Sequence, residues 1–154
     1  MINYRKATID DIANLAKIRS KFLLEARDIR TESERDLMEK SNREYFETAF
    51  ADDSFVAWLA LDGDNIIATS GLSFYVVPPT CQCPDGKVAY IMNMTTFPEY
   101  RKQGIGTELF RRIVEEAKIR GYKKITLNAT NMGRPLYEKY GFKDVVGDMV
   151  FYIE

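Results

Sequence analysis

Two strand-like runs joined by four turn-forming residues constrain the fold of this chain more than any other stretch. Residues 55–61 are apolar and aromatic, residues 66–77 resume the same character, and Asp62-Gly63-Asp64-Asn65 between them is strong turn chemistry. A hairpin is expected there. Further along, residues 87–96 contain Val88, Tyr90, Ile91, Met92 and Met94 and read as a central strand. Residues 104–120 place Ile105, Leu109, Ile113, Val114 and Ala117 at helical spacing, Gly121 is a natural stop, and residues 123–128 are again strand-like. A hairpin next to a strand–helix–strand crossover predicts a mixed sheet covered by helices, an α/β (mixed α+β) fold rather than a barrel or a bundle.

The flanks extend this pattern. Residues 2–6, with Tyr4 among polar neighbours, suit a first strand. Thr8 is placed to cap a helix with Asp10 and Asp11 in its first turn, where negative charge meets the positive end of the dipole, and Ile12, Leu15, Ala16, Phe22 and Leu23 follow helical spacing. After a polar stretch, 28–33, a second helix is expected over 34–50, with Leu37, Tyr45, Phe46 and Phe50 packed beneath charged neighbours. Residues 134–140 read as a short helix and 142–153 as last strand material. With 154 residues, 45% hydrophobic and 29% charged, the chain fits one globular domain, 1–154.

Composition narrows the partners. The 22 basic and 23 acidic residues nearly cancel, so no field is available to neutralise a phosphate backbone, and nucleic acid is not expected. No apolar run approaches the ~20 residues that span a bilayer, and the first eight residues lack the apolar centre of a signal peptide, so a cytoplasmic protein without a membrane partner is expected. Cys81 and Cys83 lie one residue apart in a proline-containing stretch, and the chain has no histidine and no further cysteine to complete a zinc site. They read as loop thiols, and no metal is expected. A disulfide between them would close a very tight ring.

The chemistry concentrates in Thr95-Thr96-Phe97-Pro98-Glu99-Tyr100-Arg101-Lys102-Gln103-Gly104-Ile105-Gly106-Thr107. A strand ends, a basic turn follows, and two glycines open an amphipathic helix. The unpaired N–H groups of a first helical turn, with the macrodipole behind them, suit a pyrophosphate, and glycine lets the backbone approach the anion. Arg101 and Lys102 add charge and Thr107 a hydroxyl. Two nucleotide-binding alternatives fit poorly. A dinucleotide-binding turn wants a third glycine where Leu109 stands, and an ATPase-type loop wants Gly-Lys-Ser/Thr.

These residues resemble the GNAT superfamily of acyl-coenzyme A-dependent N-acyltransferases. Its signature, Arg/Gln-x-x-Gly-x-Gly/Ala, stands here as Arg101-Lys102-Gln103-Gly104-Ile105-Gly106, and a second family segment is similar to Asn131-Met132-Gly133-Arg134-Pro135-Leu136-Tyr137-Glu138-Lys139-Tyr140-Gly141-Phe142. The resemblance covers residues 87–142 closely. It implies a central, mostly antiparallel mixed sheet with helices on both faces, and acetyl-coenzyme A as acyl donor. It also implies that Met94, Thr95 and Thr96 offer main-chain groups to pantetheine, that the amides of Arg101, Lys102, Gln103, Gly104, Ile105, Gly106 and Thr107 hold the pyrophosphate, and that the strands on either side of the long helix splay to admit the pantetheine arm.

On the same resemblance Tyr137 is the catalytic candidate. A departing thiolate needs a proton, and a positioned phenol with a reference pKa of about 10 can supply one. The proton lost by the attacking amine has no histidine to go to, and Val88 stands where some family members place a strand glutamate. Glu25, Glu44 and Glu47 read as solvated helix faces. Direct attack by a primary amine, small or peptidyl, in a ternary complex is favoured over a covalent acyl-cysteine, because Cys81 and Cys83 have no activating neighbour in sequence. Two other classes stand beside this one, a non-catalytic acyl-coenzyme A sensor and an interaction domain in which the glycine turn is only structural. Val145, Val146, Val150, Phe151 and Ile153 could pair between subunits as a homodimer.

Overall fold

The computed structural model describes residues 1–26 and 28–153. Its centre is the expected hairpin. Strands β2 (Phe55–Asp62) and β3 (Asn65–Val76) pair antiparallel, with Asp62 opposite Asn65 across the Gly63-Asp64 turn. Strand β1 (Ile2–Lys6) adds antiparallel to β2, and β4 (Lys87–Thr96) adds antiparallel to β3. Strand β5 (Lys124–Leu127) lies parallel to β4, which requires the crossover supplied by helix α3 (Ile105–Ile119). The order is β1-β2-β3-β4-β5, a five-stranded sheet in which only the last pairing is parallel.

Helices α1 (Ile12–Glu25) and α2 (Glu32–Ala51) cover one face, and α3 with the short α4 (Arg134–Tyr140) covers the other. Strand β2 explains why its sequence is apolar throughout rather than alternating. Phe55, Ala57, Leu59 and Leu61 pack against Ile12, Leu15, Ala16, Phe46 and Ala49, while Val56 packs against Phe110, Ile113 and Val114, and Ala60 against Ile105 and Leu109. Both pleat directions are therefore buried.

Three local departures from the sequence-based expectation have physical causes. Helix α2 begins two residues earlier than expected because Thr31 and Glu34 form a reciprocal cap: the Glu34 N–H donates to Thr31 Oγ1 at 3.1 Å and the Thr31 N–H to Glu34 Oε2 at 2.9 Å. Of the side chains expected to pack along it, Phe46 is fully buried, but Leu37, in its first half, is exposed. The segment from 142 to 153 forms no strand among the described residues, and Val145, Val146, Met149, Val150, Phe151, Tyr152 and Ile153 are 75–98% exposed. Strand propensity expresses a fit to a partner surface, and this stretch has found none here. No helix among the described residues is long and apolar enough to cross a membrane.

The entry to α1 is held by charge. After β1 the chain makes a one-turn 3-10 helix (Ile9–Asp11), and the buried Asp11 accepts the Thr8 N–H at 2.8 Å and two Arg5 guanidinium donors at 2.7 and 2.9 Å. The Arg5 bonds, aided by the Thr8 amide, hold its carboxyl below the usual aspartate range. A carboxyl whose pKa is lower folded than unfolded stabilises the fold above the unfolded value and loses that contribution as pH falls through the folded one. Asp11→Asn is expected to lower stability at neutral pH by about 1–2 kcal/mol, a gap that begins to close below about pH 4 and narrows further as pH falls through the lower folded pKa. Denaturant titrations of both proteins at pH 3 and pH 7 check this, and an equal gap at the two values would refute it.

Candidate active site

Strand β4 has partners on both sides only over its first half. Its parallel register with β5 runs from Val88 opposite Lys124 to Ile91 opposite Leu127 and stops, whereas pairing with β3 continues to Thr96 opposite Ala68. From Met92 to Thr96 the β5 side of the strand is open. This is the splay implied by the family resemblance, and Met94, Thr95 and Thr96 stand along it, each half-buried. Within the same stretch β4 carries a bulge. Asn93 and Met94 together face Ser70, and Asn93 takes φ 55°, a left-handed conformation that asparagine tolerates better than most residues.

The bulge redistributes side chains between the two faces. Ala89, Ile91 and Met94 join the core under α3, Met92 packs toward α1 and α2, and Asn93 and Thr95 line a cleft against α1. A strand without the extra residue would have sent Met94 to the α1 side. The Thr69 hydroxyl donates to Asn93 O at 2.8 Å and pins the bulge to β3.

Beyond Thr96 a short 3-10 turn (Pro98–Tyr100) leads into the basic turn. Among the described residues the backbone N–H groups of Lys102, Gln103, Gly104, Ile105, Gly106 and Thr107 have no hydrogen-bond acceptor, the first intrahelical bond being Glu108 N–H to Gly104 O at 3.0 Å. Six successive free donors at a helix start form a concavity suited to an anion. Not every side chain of the signature is free to join them. Arg101 Nε donates to Thr96 O at 2.9 Å, with Nη2 3.7 Å from Glu25, and Gln103 Nε2 donates to Glu99 O at 3.2 Å, so both brace the turn. Ile105 is buried with Leu109 and anchors the helix, while Lys102 and Thr107 are exposed.

The two glycines have different reasons to be there. Gly104 sits at φ +79°, where a side chain is strained. Gly106 has ordinary helical geometry, and a Cβ there would meet nothing nearer than Thr96 Oγ1 at 3.6 Å. The fold requires the first glycine and has room for a methyl at the second, in keeping with a signature that admits alanine there; a larger side chain would stand beside the free amides.

Tyr137, on α4, is 7% exposed and packs its ring on Phe110 of α3 at 5.2 Å between centroids and on Phe142 at 6.3 Å. It belongs to the same core as Met94, Ile125 and Leu127, which brings it to the face from which β4 and β5 part. Burial pushes the phenol above the usual tyrosine range, so it keeps its proton through neutral pH. Val88 is 2% exposed in the core and can accept no proton, and Glu44 and Glu47 are exposed on α2 as expected. Cys83 is buried, with its Sγ 3.5 Å from Lys87 O, and Cys81 is exposed. Two groups escaped the sequence reading. Arg19 of α1 donates through Nη1 to Asn93 Oδ1 at 2.5 Å, and Asn128 donates to the Tyr90 hydroxyl at 3.0 Å just beyond the end of β5. An arginine on a helix face is indistinguishable in sequence from a solvated one, and only an asparagine within an apolar strand hinted at the bulge.

A sheet that opens beside a helix start rich in free amides defines a coenzyme-binding acyltransferase. The sequence profile of the acetyltransferase (GNAT) family matches residues 21–142, and the chain belongs to that family. Among solved structures, a predicted acetyltransferase from Clostridium acetobutylicum, determined with acetyl-CoA, is 38% identical with a TM-score of 0.89, over 99% of this chain and 96% of that one. A GCN5-related N-acetyltransferase from Ralstonia eutropha JMP134 is 30% identical with a TM-score of 0.89, over 99% of both chains. The uncharacterized N-acetyltransferase YsnE of Bacillus subtilis (strain 168) is 28% identical over 91 residues, 56% of this chain and 54% of that relative, so the match spans about half its length.

The glycine contrast gives a test that needs no acceptor. Gly104→Ala should lower stability by about 1–2 kcal/mol. Gly106→Ala should leave stability unchanged or raise it slightly, since alanine favours a helix, and keep acetyl-CoA binding close to the parent's, as a signature that admits alanine there implies, whereas Gly106→Leu should weaken that binding about 10-fold or more. Melting temperatures and calorimetric titration with acetyl-CoA read all three, and tight binding by the Gly106→Leu variant would remove the ligand-based reason for a small residue there.

Proposed function

We propose that this chain transfers the acetyl group of acetyl-CoA to a primary amine by direct attack in a ternary complex. The observation that carries the reading is the run of six unpaired amides from Lys102 to Thr107, set at the end of the strand whose β5 side is open. The amides and the α3 dipole hold the pyrophosphate, and the main chain of Met94, Thr95 and Thr96 holds the pantetheine arm in the gap. Acetyl-CoA supplies the activated thioester.

In this reading the amine nitrogen forms a bond to the thioester carbonyl carbon, the C–S bond then breaks, and its electron pair leaves on sulfur. Tyr137 gives the phenolic proton to that thiolate. The phenol is the weaker acid in water, but an apolar wall of Phe110, Phe142 and Leu136 disfavours the bare thiolate as well and narrows the gap. The surplus proton on nitrogen leaves to water, since the chain has no histidine and Val88 offers no carboxylate to take it. An acyl-cysteine route draws no support from Cys83, which is buried in its own loop.

Saturating acetyl-CoA is expected to raise the melting temperature, with about 2.7 kcal/mol of stabilisation at a hundredfold excess over Kd. Tyr137→Phe is expected to keep that shift while lowering kcat about 10²–10⁴-fold in an assay of thiol release over a panel of amines. Undiminished kcat in the variant would remove Tyr137 from the mechanism, and no stabilisation by acetyl-CoA would remove the whole reading.

A homodimer belongs to the same reading, supported by the exposed apolar run from Val145 to Ile153 and by the four-residue β5 standing at one edge of the sheet. Light scattering should give twice the mass of one chain, and deleting residues 145–153 should return a monomer. A monomeric full chain would rule the dimer out.

A further inference from the structure

On the opposite face of β4 from Tyr137, α1 and the bulged strand enclose a cleft lined by Ile18, Phe22, Thr69, Asn93 and Thr95, with Arg19 at its wall. It continues along α1 into a second cleft that shares Ile18, Phe22 and Thr95 and ends at Arg101. The two together run beside the open half of β4, where an acceptor would have to approach a thioester held in the gap. Arg19 is half-buried, and its guanidinium is the cation lining the first cleft, while Lys21, Arg101 and the carboxylate of Glu25 line the second. Among the described residues no carboxylate lies within ion-pairing distance of it; Tyr90, Tyr45 and Asp28 are the titratable groups near enough to act on it. Burial pulls its pKa down, and the nearby Tyr90, Tyr45 and Asp28 offset that only in part, so the charge is kept partly from water without a carboxylate in contact with it.

The fork is also fixed in orientation. Asn93 Oδ1 accepts from Nη1 at 2.5 Å, and Asn93 is itself held by the bulge and by the Thr69 hydroxyl on its carbonyl. That leaves the Nε and Nη2 donors as a pair, the edge that matches two oxygens of a planar carboxylate. A half-buried arginine oriented by a strained asparagine, beside a hydrophobic wall from Ile18 and Phe22, is a binding arrangement rather than a solvated helix face.

We propose that the acceptor is a small amine bearing a carboxylate, and that Arg19, oriented by Asn93, holds that carboxylate on the α1 side of β4. This rests on the acetyltransferase reading and names the substrate class of its acceptor side. Arg19 acts as a specificity residue and takes no part in proton transfer.

The test compares thiol release from acetyl-CoA with amino acids, their carboxamides and aminoalkyl phosphates, for the parent, Arg19→Met and Arg19→Lys. The parent should prefer acid to carboxamide in kcat/KM by about 10–100-fold, the scale of one charge-assisted pair. Arg19→Met should collapse that ratio through KM for the acid, and Arg19→Lys should restore part of it, with the Kd for acetyl-CoA unmoved in both. Equal use of acid and carboxamide by the parent, a ratio unchanged in Arg19→Met, or preference for the phosphates overturns the carboxylate assignment while leaving acetyl transfer intact. Failure of acetyl-CoA to stabilise the parent at all would overturn the acetyltransferase reading, and this inference with it.

Discussion

Strand β4 is hydrogen-bonded on both sides only as far as Ile91, and the rest of the molecule is arranged around that loss of a partner. A buried strand with an open side carries unpaired amides and carbonyls, which is costly unless water or a ligand completes them. Here the open stretch is followed, after residues 97–101, of which Phe97, Tyr100 and Arg101 bond their N–H groups within the chain, by a turn whose six amides are free, so two nearby lengths of main chain, the β5 side of residues 92–96 and the amides of 102–107, are left to be satisfied from outside. An extended ligand with hydrogen-bonding amides at one end and an anion at the other has the chemistry to do so, which is what a pantetheine arm with its pyrophosphate offers.

The remainder of the fold keeps those two lengths from closing. Helix α3 presents Ile105, Leu109, Phe110, Ile113, Val114 and Ala117 to the sheet, so its start cannot swing onto the strand ends. Its far end is fixed by charge, with the buried Glu116 taking Lys6 of β1 at 2.7 Å and Arg120 at 3.0 Å, and Arg120 reaching Asp53 at 2.8 Å. Burial raises the Glu116 pKa, and the bonds from Lys6 and Arg120 more than offset it, so the carboxylate stays ionised. Tyr137 depends on the same helix, because Phe110 is the surface against which α4 docks.

The bulge at Asn93 is the second device. One extra residue turns Met94 toward α3 and α4 and leaves Asn93 and Thr95 toward α1, so a single strand presents two chemically different surfaces. The hydrogen bond from Arg19 joins the helix to the bulge and gives the α1 side of the strand its charge.

Much of this was legible in the residues. The hairpin, the crossover helix, α4 and the amide-rich turn follow from apolar spacing, turn chemistry and the glycine signature, all of which are local. The start of α2 was equally local, in Thr31 and Glu34, though the capping pair went unread. What the chain order could not express were matters of partnership: that β5 stops pairing at Leu127, that β4 bulges at Asn93, that Leu37 stays in solvent, and that residues 142–153 find no strand to join. The sequence by itself determined which segments form helices and strands and where an anion can be gripped, because propensity and free first-turn amides depend on neighbours a few residues apart. Only the tertiary structure decided that Gly106 is dispensable to the fold, that Arg101 is tied to Thr96 and Glu25, and that Arg19 lines a cleft with no carboxylate in contact among the described residues, since each depends on atoms brought together from distant parts of the chain.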